Sequence, residues 1–298
     1  MNFKKWIIAF RLRTLPLSLS SIGMGGVLAL YSKAFDWSVF LMTMLTTIFL
    51  QILSNLANDL GDFENGADLS GRVGPERAVQ MGMVSPKEMK IAVVLFSLFS
   101  LISGIYLLIF SIGVIDVKFF FFLFTGLLCI YAAVKYTFGK SPYGYIGLGD
   151  ISVFIFFGIV GVCGSFYLHT FSFEPLILLP AIACGAFATN VLNLNNMRDI
   201  VSDKVAGKYT IPVRLGLENA KIYHYFLTSL GIFASILYAF LVFSEPLQFL
   251  CFIPLFGMLL IAIKVKNKSG VELDPFLKYT ALTSLAIVLF WFLGYFLS

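Results

Sequence analysis

The sequence predicts an all-α, polytopic membrane protein with nine transmembrane helices. Of its 298 residues, 59% are hydrophobic and only 12% are charged, whereas about 25% of the residues in a soluble domain are charged. A water-soluble protein of this length could hardly cover its surface with so few charges. The 33 phenylalanines further indicate that much aromatic surface faces lipid.

The same composition argues against other classes of protein. A net charge of +5, carried by basic residues scattered between apolar runs, argues against a nucleic-acid partner. All four cysteines lie inside apolar runs without C-x-x-C spacing. We therefore expect reduced packing residues, and neither disulfides nor a thiolate metal site.

Nine uncharged runs approach the length that crosses a bilayer, which is about 20 predominantly apolar residues. They span 14–32, 37–58, 91–115, 119–134, 151–173, 175–197, 222–244, 246–263 and 279–298. The fourth run is short, but Lys118 and Lys135 at its ends have long side chains that reach the interface. Before the first run, residues 2–13 place Phe3, Trp6 and Phe10 on one helical face, which predicts a short interfacial helix.

The distribution of Lys and Arg predicts the orientation of these helices. Nineteen of the 21 basic residues fall on one side, in the N-terminal segment and in segments 60–90, 135–147, 198–221 and 264–278. Because cytoplasmic loops carry the excess of Lys and Arg, we expect a cytoplasmic N-terminus. The chain reads as a single domain, 1–298. Its cytoplasmic loops 60–90, 135–147 and 198–221 are expected to carry the active site, since long loops are usually functional.

Two acidic stripes end the second and sixth runs. N-x-x-x-D occurs from Asn55 to Asp59 and from Asn58 to Asp62, which we name the first stripe. It recurs from Asn195 to Asp199, with Asp203 one turn later, and this is the second stripe. Residues four apart share a helix face, so each stripe presents amides and carboxylates together at the membrane boundary. This weak internal repeat predicts that the stripes face each other.

Facing stripes predict a metal site. Their carboxylates repel one another, and an uncompensated charge in a membrane costs at least about 2.5–3.5 kcal/mol. Oxygen ligands without nearby His or Cys point to Mg²⁺, which bridges carboxylates to substrate phosphates. Cations in the same loops suit the phosphates, and these are Arg77, Lys140, Arg198, Lys204 and Arg214. The pattern predicts a diphosphate substrate whose lipid tail lies among the Phe-rich helices.

Four segments carry a resemblance to a known family. They are QILSNLAND at 51–59 followed by Gly61 and Asp62, GPERAVQ at 74–80, GLGD at 147–150 and NNMRD at 195–199. With them the chain resembles, from Trp6 to Leu297, the UbiA superfamily of intramembrane aromatic prenyltransferases, and most closely its naphthoate-using branch. The resemblance implies nine helices around a central cavity, in agreement with the nine apolar runs.

The resemblance also assigns metal ligands. It implies that two Mg²⁺ ions bind the prenyl diphosphate through two motifs, formed by Asn58, Asp59, Asp62, Asn195, Asp199 and Asp203. The superfamily has a further Asp where this chain has Gly66. Asp68 lies two residues beyond that position, so it reaches the metal only if the loop bulges.

Substrate contacts are implied in the same way. The Y-x-x-x-K element of the family matches both Tyr131/Lys135 and Tyr136/Lys140, and we favour the second because it lies beside Tyr143. The expected diphosphate and substrate contacts are Asn55, Asn58, Arg77, Tyr136, Lys140, Tyr143, Asn195, Asn196, Arg198, Lys204 and Arg214. The expected catalytic set is Asp59, Asp62, Asp199, Asp203, Lys140 and Arg77, where the two cations hold the diphosphate or the carboxylate of the acceptor.

The reaction implied is transfer of a polyprenyl group from polyprenyl diphosphate to 1,4-dihydroxy-2-naphthoate, with loss of CO₂ and diphosphate, to give demethylmenaquinone in menaquinone biosynthesis. Mg²⁺ and basic side chains would stabilise the leaving diphosphate. Aromatic rings would stabilise the allylic cation, and a dry cavity would keep water away from it. Membrane lipid surrounds such a protein. The expected location is the bacterial cytoplasmic (inner) membrane, with the site opening to the cytoplasm.

Three alternatives stay open at this point. A related enzyme would use 4-hydroxybenzoate or another aromatic acceptor. A cation-coupled transporter would also show a repeat and carboxylates in the membrane, but at its midplane on broken helices, whereas the stripes lie at helix ends. A CDP-alcohol phosphotransferase would need D-x-x-D-G-x-x-A-R, and here Phe63 follows Asp62.

Overall fold

A computed structural model of the protein describes residues 3–67 and 74–298. All regular elements in these two ranges are helical. They are α1 (Phe3–Phe10), α2 (Leu15–Tyr31), α3 (Trp37–Glu64), α4 (Pro86–Ile112), α5 (Val117–Lys135), α6 (Gly149–Thr170), α7 (Pro175–Arg198), α8 (Ile200–Val205), α9 (Ile211–Leu215), α10 (Leu217–Val242), α11 (Pro246–Val265) and α12 (Gly270–Leu297).

Nine helices in the described ranges are long and apolar enough to cross a membrane, the first of them formed by α1 and α2 together. Each corresponds to one predicted run, so the expected all-α class and the nine spans are confirmed. The segment predicted as an interfacial helix forms α1, which the left-handed backbone of Arg11 separates from α2. Its place at the membrane interface stays a prediction.

Local signals start three of the long helices. Asp36 caps α3 by accepting hydrogen bonds from the backbone N–H groups of Ser38 and Val39. Ser85 and Glu88 form a reciprocal capping box at α4, and Asp116 caps α5. These side chains satisfy backbone donors that a helix start leaves unpaired.

The largest buried cluster joins α2, α6, α7, α10, α11 and α12, with Phe166, Phe187 and Trp291 near its centre. Helices α6 and α7 approach so closely that a Cβ on Gly158 would lie 2.6 Å from the Ala181 carbonyl oxygen. Around this approach α6 is π-helical, from Phe154 to Cys163. A second cluster joins α1, α3 and α4 to the segment before α4. The two acidic stripes lie on α3 and at the end of α7.

Segments 135–147 and 198–221 and the described parts of 60–90 meet at one end of the bundle, which we name the loop end. The Tyr209 N–H donates a backbone hydrogen bond of 2.8 Å to the Tyr145 carbonyl, which connects segment 198–221 to segment 135–147. Thr137 connects segment 135–147 to α3, because its hydroxyl donates to the Ala57 carbonyl over 3.1 Å. At the opposite end the connections are short. The His169 ring there accepts a hydrogen bond from the Asp36 N–H.

Candidate active site

One lysine lies between the two acidic stripes at the loop end. The Lys208 ammonium is 4.0 Å from a carboxylate oxygen of Asp62 and 3.8 Å from one of Asp203. All three side chains are buried. The structure therefore brings the end of the first stripe and the end of the second to within 4.0 Å of the same ammonium group.

The first stripe is enclosed by the segment before α4 and by Tyr145. Asp62 accepts a hydrogen bond of 2.7 Å from the Tyr145 hydroxyl and forms an ion pair with Arg77. Asp59 is fully buried and accepts from the Ala78 N–H over 3.2 Å. Arg77 also donates to the Asn58 carbonyl over 2.7 Å. The GPERAVQ segment thus folds back over the end of α3.

The second stripe is organised by Arg198, the last residue of α7. Its guanidinium binds Asp199 through two parallel hydrogen bonds of 2.9 and 2.7 Å, the geometry in which Arg pairs most strongly with a carboxylate. It also donates to Asn195 over 2.9 Å and to Asp274 of α12 over 2.5 Å. In this state Arg198 compensates the charge of Asp199.

The asparagines predicted in the site have different surroundings. The Asn58 side-chain oxygen accepts a hydrogen bond of 3.0 Å from Thr137, which faces the site. Asn55 instead donates to Phe10 and Thr14, so it fastens α3 to the N-terminal segment. Asn196 is buried within α7.

The two predicted tyrosines pack against each other edge to face, with ring centroids 5.3 Å apart. Burial raises the pKa of Tyr136 well above its ordinary value, and the charges of Asp150, Asp62 and Asp203 add to the effect. Burial also raises the pKa of Tyr143, although a hydrogen bond with Ser152 opposes the shift. Tyr136 therefore lies near both stripes as a neutral phenol.

Three predicted cations are exposed: Lys140, Lys204 and Arg214. The Arg214 guanidinium donates to the carbonyls of Tyr209 and Ile146 over 3.0 and 2.9 Å, so it braces the loops. Asp68 lies outside the described residues, and its predicted role stays a prediction.

The structure adds residues that sequence reasoning missed. Lys208 and Tyr145 contact the stripes directly, and Asp274 binds Arg198. Lys208 follows Asp203 by five residues, a spacing that is a weak signal for pairing, but the sequence does not distinguish it from Lys204. Tyr145 lies between two tyrosines already singled out and the GLGD segment.

The residues at the loop end fit a hard divalent cation, although in the described ranges no three Asp, Glu, His or Cys side chains converge in a preformed metal centre. Carboxylate oxygens are the ligands that Mg²⁺ prefers. Asp62 and Asp203 already share one cation, the Lys208 ammonium, and Asp59 and Asp199 belong to the same stripes. These four residues would hold the metal, in place of the Lys208 ammonium.

Other protein sequences are similar to this chain over most of its length. The profile of the UbiA prenyltransferase family matches residues 18–282. A 1,4-dihydroxy-2-naphthoate octaprenyltransferase of Haemophilus influenzae is 40% identical, over 98% of this chain and 96% of that protein. A protein of Escherichia coli with the same name is 47% identical, over 74% of this chain and 71% of its own length.

Solved structures share the fold. A UbiA homolog from Aeropyrum pernix superposes with a TM-score of 0.69 at 15% identity, over 97% of this chain and 98% of that one. A UbiA homolog from Archaeoglobus fulgidus bound to DMAPP and Mg²⁺ superposes with a TM-score of 0.66 at 17% identity, over 99% of this chain and 100% of the other.

Proposed function

Because the chain belongs to the UbiA prenyltransferase family, we propose that it transfers a polyprenyl group from polyprenyl diphosphate to 1,4-dihydroxy-2-naphthoate, with release of CO₂ and diphosphate. The transfer changes no oxidation state, so its direct product is the quinol form of demethylmenaquinone, in menaquinone biosynthesis. The observation that carries the proposal is the meeting of two acidic stripes across Lys208 at one end of a nine-helix bundle. The naphthoate acceptor is supported by relatives of that name that align with most of the chain.

Each residue of the site has its own role in binding a diphosphate. Asp62 and Asp203 would hold Mg²⁺, with Asp59 and Asp199 as further ligands. Bound Mg²⁺ supplies positive charge that stabilises the leaving diphosphate. Lys208, released from the carboxylates, is then positioned to bind a diphosphate oxygen. The ion pairs of Arg77 with Asp62 and of Arg198 with Asp199 hold the carboxylates in place. Two Mg²⁺ ions match the two stripes.

The loop end faces the cytoplasm in this proposal. The 19 to 2 division of Lys and Arg supports that orientation through the positive-inside rule, and the membrane is the bacterial inner membrane. The polar substrates then enter from the cytoplasm while the polyprenyl tail stays among the helices.

An assay on purified protein tests the reaction. It contains a polyprenyl diphosphate and 1,4-dihydroxy-2-naphthoate, with Mg²⁺ or with EDTA. We expect release of diphosphate together with a prenylated dihydroxynaphthalene, recovered as the naphthoquinone after oxidation by air, in the Mg²⁺ sample only. Turnover with 4-hydroxybenzoate alone would keep the family and change the acceptor. If the protein prenylates none of the aromatic acceptors, the proposal is refuted and transport becomes the function to test.

Substitution of the stripes tests the site. Asp62→Asn and Asp199→Asn are each expected to lower turnover at least about 100-fold, since each removes charge that the metal requires. The matched control is Asp116→Asn at the opposite end of the bundle, where Asn also caps a helix well. Near-normal activity of both stripe variants would contradict the two-stripe site.

A further inference from the structure

A buried carboxylate that belongs to neither stripe lies beside the site. Asp150, the second residue of α6, is 6% exposed. Within the described residues, one of its carboxylate oxygens has no hydrogen-bond partner. Folded proteins leave few buried polar atoms unpaired, and each such atom needs an explanation, such as a catalytic role. None of the roles described so far uses this oxygen.

Tyr136 places Asp150 next to the stripes. The charges of Asp150, Asp62 and Asp203 all act on the Tyr136 phenol. Its hydroxyl also packs against the start of α6, 2.7 Å from the position that a Cβ on Gly149 would take. Asp150 therefore lies near the same tyrosine as the carboxylates proposed to bind the diphosphate.

Asp150 also lies on the membrane side of the second stripe. Its backbone carbonyl accepts a hydrogen bond of 3.4 Å from Thr189 of α7, which precedes Asp199 by almost three helical turns. In the proposed function, a polyprenyl diphosphate with its head at the stripes would extend its tail toward the membrane. An acceptor ring beside the first carbon of that tail would lie on the same side of the stripes as Asp150.

The neighbours of Asp150 differ from those of the stripe carboxylates. The titratable groups facing it are the phenols of Tyr136 and of Tyr223 on α10, and α7 presents the uncharged Thr189. In the part of the chain that the structure describes, no Lys or Arg forms an ion pair with it. Asp150 interacts with Tyr223 through a hydrogen bond and keeps one oxygen without a partner, so this carboxylate without an ion pair is suited to accept a proton from a phenolic substrate.

We propose that Asp150 is a further catalytic residue, the base that takes the proton of the acceptor's ring hydroxyl; this inference rests on the proposed function. A ring carbon donates an electron pair to the first carbon of the prenyl group and forms the new C–C bond. At the same time the C–O bond to the diphosphate breaks, and the diphosphate leaves with the electron pair of that C–O bond. The O–H electrons become the C=O of a ring ketone, and the proton moves to Asp150. Loss of CO₂ returns an electron pair to the ring, and the proton goes back to the oxygen.

The test compares Asp150→Asn with Asp150→Glu, and uses Asp116→Asn as the matched control. Asp150→Asn is expected to lower kcat about 100-fold or more, in the range of general bases, with an unchanged KM for polyprenyl diphosphate. The acidic limb of the pH profile, present in the wild type, should disappear in this variant. Asp150→Glu should recover part of kcat and regain an acidic limb at a shifted pH.

The outcomes separate this inference from the proposed function. A wild type that does not prenylate the naphthoate overturns both. A working wild type, together with an Asp150→Asn variant of similar kcat and unchanged pH profile, overturns the role of Asp150 and leaves the function standing. If Asp150→Asn does not fold, Asp150→Glu decides, because a shifted acidic limb supports the role and an unshifted one refutes it.

Discussion

Neutralising Lys208 is the perturbation with the clearest physical consequence. In Lys208→Met the side chain keeps its length and loses its charge, so Asp62 and Asp203 face each other without the bridging ammonium. At about 4 Å and an effective dielectric constant of about 20, each Lys–Asp pair contributes about 4 kcal/mol before solvation is counted. Burying the ammonium costs several kcal/mol in return. Removing one member of such a buried group leaves a net loss of about 3 kcal/mol.

The assay is thermal unfolding of the detergent-solubilised protein, with EDTA or with Mg²⁺. In EDTA we expect Lys208→Met to lower Tm by about 5–10 °C, using the usual relation between free energy and Tm for large domains. In Mg²⁺ the difference should shrink, because a bound cation stabilises the folded state by mass action and replaces the missing charge. The control is Lys266→Met, at an exposed position, which should change neither Tm.

An equal loss of Tm in EDTA and in Mg²⁺ would refute this reasoning. It would mean that Lys208 contributes packing alone and that the cation does not bind between the two carboxylates. No loss in either buffer would show that the ammonium does not bridge the stripes.

Three further predictions concern orientation, packing and pH. A cysteine at exposed Met83 should resist impermeant reagents on intact cells and react after permeabilisation, whereas one at exposed Val114 should react from outside; the reverse pattern would invert the topology. Gly158→Ala should cost about 1–3 kcal/mol by overpacking, while Gly164→Ala, whose Cβ meets nothing closer than 3.9 Å, should be tolerated; equal Tm values would contradict the close approach of α6 and α7. Because burial raises the pKa of Tyr136, the unfolded chain loses this proton first, so stability should fall above about pH 10. Tyr136→Phe should lessen that fall, as unfolding at pH 9 and 11 will show; an equal fall in the variant would contradict this assignment.

The nine spans could be predicted because apolar runs and charge counts are properties of local sequence. The ends of the spans could not be predicted where a helix continues through charged residues. Helix α3 runs on to Glu64, past Asp59 and Asp62, and α12 begins at Gly270, before Asp274 and Lys278. Ending each run at the first charge therefore shortens those helices that carry the stripes or their partners.

The candidate site likewise contains residues that the sequence could predict and residues that it could not. The stripes could be found because their carboxylates repeat with the period of a helix. Lys208 and Tyr145 could not, since each reaches Asp62 from a loop far along the chain, and a contact between distant loops leaves no periodic trace. Asn55 is the opposite case: its spacing predicts a place in the site, yet its side-chain amide donates hydrogen bonds to the Phe10 carbonyl and the Thr14 hydroxyl.

One glycine connects the chemistry of the site to its architecture. Gly61 lies between the two carboxylates of the first stripe, and α3 rests there directly on Thr137, where a Cβ would come within 2.6 Å of the backbone. A larger residue would push segment 135–147 outward, and with it the tyrosines that face Asp62. The stretch from Asn58 to Asp62 thus encodes two requirements at once: oxygen ligands for a cation, and an empty volume that lets the neighbouring loop close over them.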